Sequence, residues 1–495
     1  MQRRNFIKSA FTLGSAVALP PAFYQSSFAA GLPAAITEFT ATQLSAAILQ
    51  RSVSCHEVMQ SYLTHIHRYN PVYNAIVSLA ADDVLLAQAL EADQALARGE
   101  YRGWMHGMPH AVKDLSAVAG LRFTNGSALY ADRIAETDSD LAAKIRRAGA
   151  IFIGKTNSPE FGLGSQTYNP VFGSTASAWN PVLTSGGSSG GAGSGLGTQM
   201  LPVADGSDMM GSLRNPGAFN NVIGFRPSTN VMTNSDATSS GLSVSGPMGR
   251  NTADTIQLLE TISVNPIGTD MSPLQLRNLK LGWLGNFDNY LAVEPGILPL
   301  CEAAIGSLTT AGSNVESVQP NFLLTDLWQC WTTLRHSGRA SMQNLYNDPA
   351  ARIKLKPELV WEIEESLRIT EQEIAAANRI RAAWYLELDR LFEAYDFLIL
   401  PTAQVFPYPK ENPWPQEIDG RKMDTYHRWM EVVIAGSLGG IPVINVPVGF
   451  DPQGRPMGMQ VMGKFGDDRR VLEFALAYEA ITDHLQQRPQ LQAAQ

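Results

Sequence analysis

Between residues 184 and 214 the chain runs TSGGSSGGAGSGLGTQMLPVADGSDMMGSLR, and this stretch holds the residue types best suited to chemistry. Its glycines cluster around hydroxyls: Gly186-Gly187-Ser188-Ser189-Gly190-Gly191 first, then Gly206-Ser207-Asp208 and Gly211-Ser212. So dense a run of glycine argues against a packed core or a good helix, since each glycine costs folding entropy and buries nothing. What glycine offers instead is positive φ and the close approach of backbone N–H groups to another atom. A hydroxyl set among such N–H groups is the arrangement by which an enzyme holds an oxyanion beside its nucleophile. A flexible Gly/Ser linker is the plain alternative. It has no use for the apolar Leu196, Met200, Leu201 and Val203 or for the charged Asp208 and Arg214 that interrupt the run.

Two single motifs can be read here. Gly186-Gly187-Ser188-Ser189-Gly190 satisfies G-x-S-x-G, the elbow that presents a serine nucleophile to a histidine and an acid. That reading makes Ser188 the nucleophile of an esterase or peptidase and draws its base from His336, His427 or His484. Residues 149–156, GAIFIGKT, match the phosphate-loop pattern G-x-x-x-x-G-K-[ST] letter for letter. The physics rejects this second motif, because a phosphate cradle needs bendable polar residues where Ala-Ile-Phe-Ile reads as a buried strand.

A third reading joins Lys113 to Ser188 and Ser212. GMPHAVKD (107–114), GKTN (154–157), GGSSGG (186–191) and DGSDMMGSLRNP (205–216) follow one another in order, with the two serines 24 positions apart. DFLILPT (396–402) and GIPVINVP (440–447) continue the series. On these motifs the chain resembles the amidase signature family over nearly its whole length beyond the N-terminus. That resemblance implies an α/β fold with a large, mainly mixed central sheet flanked by helices. It implies a Ser–cis-Ser–Lys triad, with Ser212 as nucleophile, Ser188 as the bridging serine and Lys113 as the base. The backbone N–H groups of Met209, Met210, Gly211 and Ser212 are then the expected oxyanion hole, braced by Ser189, Asp208 and Arg214. A lysine can serve as base only when neutral, and burial lowers its pKa by disfavouring the charged form. By itself Lys113 would be read as a salt-bridge partner of Asp114; the resemblance reverses that. The family's usual Gly-Gly-Ser is Met210-Gly211-Ser212 here, and methionine does not take glycine's positive φ cheaply. The Met-Gly form carries a weaker likeness to the subgroup acting on 6-aminohexanoate cyclic or linear amides. The expected activity is hydrolysis of a small carboxylic amide through an acyl-enzyme, with no metal and no cofactor. Its rivals are the Ser188-centred triad enzyme and a binding protein that has kept the fold and lost the chemistry.

The elements that must position these residues follow from periodicity. Residues 41–68 are helical around a break near 52–54, with Asn70-Pro71 as the stop, and residues 82–98 form a second helix ended by Gly99. Residues 107–114 read as a strand running into a tight segment, 138–147 as a helix, and 150–153 as a strand. Further strands are expected at 222–227, 279–283, 395–401 and 441–450, with helices at 252–262, 294–311 and 467–483. His65 and His67, two apart on a helix, point in different directions and read as surface histidines. The region 321–391 is helical and less typical. Its Trp328, Trp331, Trp361 and Trp384 could be core or could wall an apolar substrate pocket.

Composition bounds the rest. The 495 residues are 44% hydrophobic and 17% charged, ordinary for a soluble enzyme. Arg3-Arg4, an apolar stretch over 10–19 and the small Ser27 and Ala29 flanking Phe28 read as a twin-arginine signal over residues 1–29, directing export to the periplasm. Loss of that segment removes three positive charges and takes the net charge from −9 to −12. An acidic chain of this kind gains nothing from nucleic acid or from an anionic membrane surface. The export reading likewise sets aside the family's cytoplasmic amidotransferases. Cys55, Cys301 and Cys330 allow at most one internal disulfide, and buried free thiols are the simpler expectation. The amidase domain is expected over 37–485, followed by a loose Gln/Ala-rich tail at 486–495; oligomeric state is not readable.

Overall fold

The computed structural model describes residues 33, 35–232 and 241–494. The twin-arginine segment therefore lies outside the described residues. Two sheets organise the chain. A small one takes β1 (Ile76–Val77), β2 (Pro109–Lys113) and β3 (Ile151–Thr156) in the order β1-β3-β2, with β3 antiparallel to β1 and parallel to β2. The large one has eight strands: β4 (Val203–Asp208), β5 (Ile223–Arg226), β6 (Val244–Gly249), β7 (Lys280–Trp283), β8 (Asn314–Ser317) and β9 (Phe397–Pro401), with β12 (Val443–Phe450) and β13 (Pro456–Met462). Between these in sequence, β10 (Glu417–Ile418) and β11 (Arg421–Lys422) form a separate hairpin.

The large sheet runs β4-β6-β5-β12-β13-β9-β7-β8, antiparallel from β4 to β9 and parallel from β9 to β8. It is mixed and flanked by helices, as the resemblance implies. β12 and β13 are buried along almost their whole length, which explains their near-continuous apolar sequence. The strand carrying Lys113 belongs to the small sheet, so the lysine approaches the site from a separate layer.

The helices begin where local chemistry allows. Ser54 closes the gap between helices Ala41–Leu49 and Cys55–Tyr73 by a capping box with Glu57, and Thr370 does the same with Glu373 before the long helix Glu371–Ala394. Pro71 does not stop its helix. It sits inside the final turn, and the stop is Asn74 in the left-handed region at φ 49°, where Asn70 Oδ1 accepts the N–H groups of Ala75 and Ile76. His65 also departs from expectation, for it is half-buried with Nε2 2.8 Å from the Thr198 carbonyl, whereas His67 is exposed beside Asp82. The C-terminal tail is likewise tied down, with Leu491 against the core and the Gln492 N–H donating to Tyr73 Oη at 3.1 Å. The three cysteines are free and buried.

Candidate active site

The glycine-rich stretch does build a helix, Gly190–Gly197, and every residue of it is buried. The entropy argument fails here because tertiary contact overrides propensity. A Cβ on Gly191 would stand 2.3 Å from the Asn157 nitrogen and 2.5 Å from the Ala75 oxygen, so only glycine lets the helix lie against the end of β3. This close approach sets the helix N-terminus, and Ser188 and Ser189 before it, beside β2. The peptide bond from Gly187 to Ser188 is cis. Ser165 Oγ donates to the Gly187 carbonyl at 2.9 Å and accepts from Asn215 Nδ2 at 2.9 Å, holding that turn from behind.

Lys113 ends β2 fully buried, and its three close partners are hydroxyls. Nζ lies 2.8 Å from Ser188 Oγ, 2.8 Å from Ser189 Oγ and 3.1 Å from Ser207 Oγ. Burial pulls its pKa down to about 7, opposed by the negative charges of Asp205 and Asp208. Adjacent Asp114 is not its partner; that carboxylate takes the Thr124 hydroxyl and the Thr124 N–H. Asp205 instead accepts the Lys113 backbone N–H at 3.3 Å on one oxygen and stands 3.0 Å from His110 Nε2 with the other. Lys155, the lysine of the rejected phosphate-loop match, ends in β3 with Nζ donating to the Ser116 carbonyl.

The loop after β4 supplies Ser212. Asp208, fully buried, gathers it: Oδ1 accepts the Gly211 N–H at 3.0 Å and Oδ2 the Leu213 N–H at 3.2 Å. Arg214 clamps both oxygens, with Nε to Oδ2 at 3.0 Å and Nη2 to Oδ1 at 2.9 Å, and reaches Gln460 Oε1 and the Val433 carbonyl through Nη1. Arg226, unforeseen from sequence, joins through Nη1 to the Asp208 backbone carbonyl. Burial alone would raise the Asp208 pKa, but the two guanidiniums hold it well below the usual aspartate range. The left-handed step in the loop falls on Gly211, at φ 79°, while Met210 is not among the residues with positive φ. The methionine is thus accommodated at ordinary backbone geometry. The Ser212 carbonyl accepts the Ser189 N–H at 3.2 Å, which ties the two serine-bearing loops together.

Ser188, Ser207 and Ser212 share a cleft of about 120 Å³ with Met209, Met210 and Met430. The helical region contributes two guanidiniums to its wall, Arg335 and Arg339, and none of its four tryptophans. Trp328, Trp331 and Trp384 are core, Trp328 with Arg428 over its ring, and Trp361 packs against a satellite cluster that includes Leu359 and Tyr426. The histidines of the elbow reading do not reach Ser188, whose hydroxyl is bonded to Lys113. His336 and His427 face one another, Nε2 to Nε2 at 3.4 Å, and burial holds both below the ordinary histidine pKa. His484 stacks on Tyr478 near Gly449. Glu362 lies beside the histidine pair, but its oxygens are taken by Arg335, Arg339 and Tyr426, a donor set that repels a cation.

Comparison with known proteins places the chain in a family. The family model described as Amidase matches residues 57–472. The chain belongs to the amidase family and is an amide-hydrolysing enzyme. It is 28% identical to an acylamidase of Rhodococcus erythropolis over 91% of this chain and 97% of that one. Among solved structures it superposes on a bacterial aryl acylamidase of the amidase signature enzymes with a TM-score of 0.83 and 26% identity, covering 91% of this chain and 99% of that one. The 6-aminohexanoate cyclic dimer hydrolase shares the fold, at a TM-score of 0.77 and 21% identity, over 92% and 99%. Among the described residues no helix is long and apolar enough to cross a membrane.

Proposed function

We propose that this chain hydrolyses a small carboxylic amide through a serine acyl-enzyme, with Ser212 as nucleophile, Ser188 as proton relay and Lys113 as base. One observation carries the proposal. A fully buried lysine amine lies 2.8 Å from a serine hydroxyl, with further hydroxyls as its other close partners. In that setting the amine is poised to be neutral near pH 7, and its lone pair accepts the Ser188 proton as Ser188 takes the proton of Ser212. The Ser212 oxygen then bonds to the amide carbon, and the carbonyl oxygen gains the negative charge. With the Gly211 N–H spent on Asp208, the remaining expected oxyanion donors are the N–H groups of Met209, Met210 and Ser212. Collapse breaks the C–N bond, the proton returns along the same path to the leaving amine, and water repeats the cycle to release the carboxylate.

A fluorophosphonate probe followed by peptide mass spectrometry tests the assignment. An adduct on Ser212 is the expected result. An adduct on Ser188 would favour the esterase or peptidase reading, and no adduct would favour a catalytically silent binding protein. Release of ammonia or amine from an amide panel then fixes the reaction class. The N-terminal twin-arginine pattern supports export to the periplasm as part of the same reading. Replacing Arg3 and Arg4 by lysine should leave the precursor in the cytoplasm, and undiminished export of that variant would remove the claim.

A further inference from the structure

The charges around the cleft are unbalanced. Its charged lining side chains among the described residues are Arg335 and Arg339, and no carboxylate lines it. Behind them Glu362, fully buried, accepts Arg335 Nε at 2.6 Å on one oxygen and Arg339 Nε at 2.6 Å on the other. One carboxylate between two guanidiniums leaves one positive charge unmatched. His336 and His427, in the same cluster, are held neutral by burial, and burial also pushes the Tyr426 hydroxyl up, so it stays a neutral phenol; none of the three changes that balance.

The two arginines differ in what they have left to offer. Arg335 is 4% exposed and committed, with Nη2 donating to Tyr426 Oη at 2.8 Å and Nη1 to Met209 Sδ at 3.4 Å. Arg339 is 15% exposed, and only its Nε is bonded within the described residues. Its two terminal amino groups remain, on a guanidinium that Glu362 holds from behind against the cleft wall. A planar guanidinium held in this way offers the bidentate geometry that a carboxylate fits. An uncharged acyl chain would leave those donors and that charge without a partner.

We infer that Arg339 selects the substrate class of this site: an amide that carries a carboxylate elsewhere in the molecule, bound by the Arg339 terminal amino groups. The inference rests on the amide-hydrolase reading and narrows it. It also sets aside the apolar-pocket alternative for the tryptophans, none of which lines the cleft.

The test compares monoamides of succinic, glutaric and adipic acid with butyramide, valeramide and hexanamide as substrates of the intact protein. A charge-assisted pair is worth about 10- to 100-fold, so kcat/KM for at least one monoamide should exceed that for its neutral counterpart by that factor. Arg339→Gln should abolish most of the preference, and Arg339→Lys should keep part of it. Because the preference is a ratio measured within each variant, a general loss of activity does not obscure it. Equal or higher kcat/KM for the neutral amides would overturn the inference while leaving the amide-hydrolase reading intact. A preference that survives Arg339→Gln would overturn the assignment to Arg339. Failure to hydrolyse any member of either series, by a folded protein that releases ammonia or amine from another amide, would overturn the inference and leave the amide-hydrolase reading intact.

Discussion

Lys113 Nζ lies 2.8 Å from Ser188 Oγ at the buried end of a strand, with no exposure to speak of on the lysine side. Burial pulls the amine pKa to about 7, so the working form is available at neutral pH. Turnover should therefore fall as pH drops below about 7, where the amine takes a proton and can no longer accept one. Lys113→Ala should cost about 10²- to 10⁴-fold in kcat, the usual worth of a positioned base. Lys113→Arg should restore nothing, since guanidinium does not lose its proton. Initial rates across a pH series on a soluble amide would show it. Wild-type turnover by a folded Lys113→Ala protein would sink the mechanism.

Asp208 is the structural centre of the serine loop. Two guanidiniums and two backbone N–H groups converge on a carboxylate that is out of water. Removing its charge leaves Arg214 and Arg226 buried and uncompensated, so Asp208→Asn should cost about 3–5 kcal/mol in denaturant unfolding. The same carboxylate has a folded pKa below its ordinary 3.8, so its contribution to stability is present above that value and is lost as pH falls below it. The asparagine variant should lack that part of the acid-induced loss. Parallel acid slopes for the two proteins would contradict the role.

The candidate site is legible in part because its serine-bearing signals are local, with hydroxyls, glycines and an acidic brace within about thirty residues; Lys113 joins them only through the resemblance. The mixed sheet follows from the resemblance; of its two central strands β12 reads as a continuous apolar run, whereas β13, interrupted by Gly458 and Gln460, does not stand out. What escapes depends on contacts that sequence distance hides. Arg335 and Arg339 reach the cleft from a helical region more than a hundred positions beyond Ser212, and nothing in their own surroundings marks them. His110 and Asp205 look like ordinary strand residues until the small sheet, packed against β4 of the large one, puts them side by side. Poor glycine propensity argues against the helix Gly190–Gly197, although the missing side chains are what allow its burial. Trp331 and Trp384 are ambiguous in sequence, since core and pocket aromatics share one composition.

Gly211 offers a sharper test of the loop than Met210. Its φ of 79° is one that side-chain-bearing residues rarely adopt, and a Cβ there would meet the Val433 methyls at 3.0–3.1 Å and Asn215 Oδ1 at 3.2 Å. Gly211→Ala should destabilise by about 1–3 kcal/mol and displace Ser212, lowering kcat more than it raises KM. Met210→Gly, at ordinary φ, should leave the loop geometry in place. Thermal melts and steady-state rates on the two variants would separate them. An alanine at 211 with wild-type stability and turnover would show that the loop does not depend on the left-handed step.

On the proposed mechanism, Asp205 sets the level from which the base works. One of its oxygens accepts the Lys113 backbone N–H and the other faces His110 Nε2, and its negative charge favours the protonated amine. It is therefore a positioning residue that also opposes the effect of burial on Lys113. Asp205→Asn keeps the shape and an acceptor oxygen but removes the charge. With less to stabilise the ammonium, the Lys113 pKa must fall further, and the acid limb of the pH–rate profile should move to lower pH. A purely structural role would lower the rate at every pH and leave that limb where it was. Full kcat and kcat/KM profiles of the wild-type and Asp205→Asn proteins on one amide decide the matter. An acid limb displaced to higher pH would mean that Asp205 does not hold the proton on Lys113.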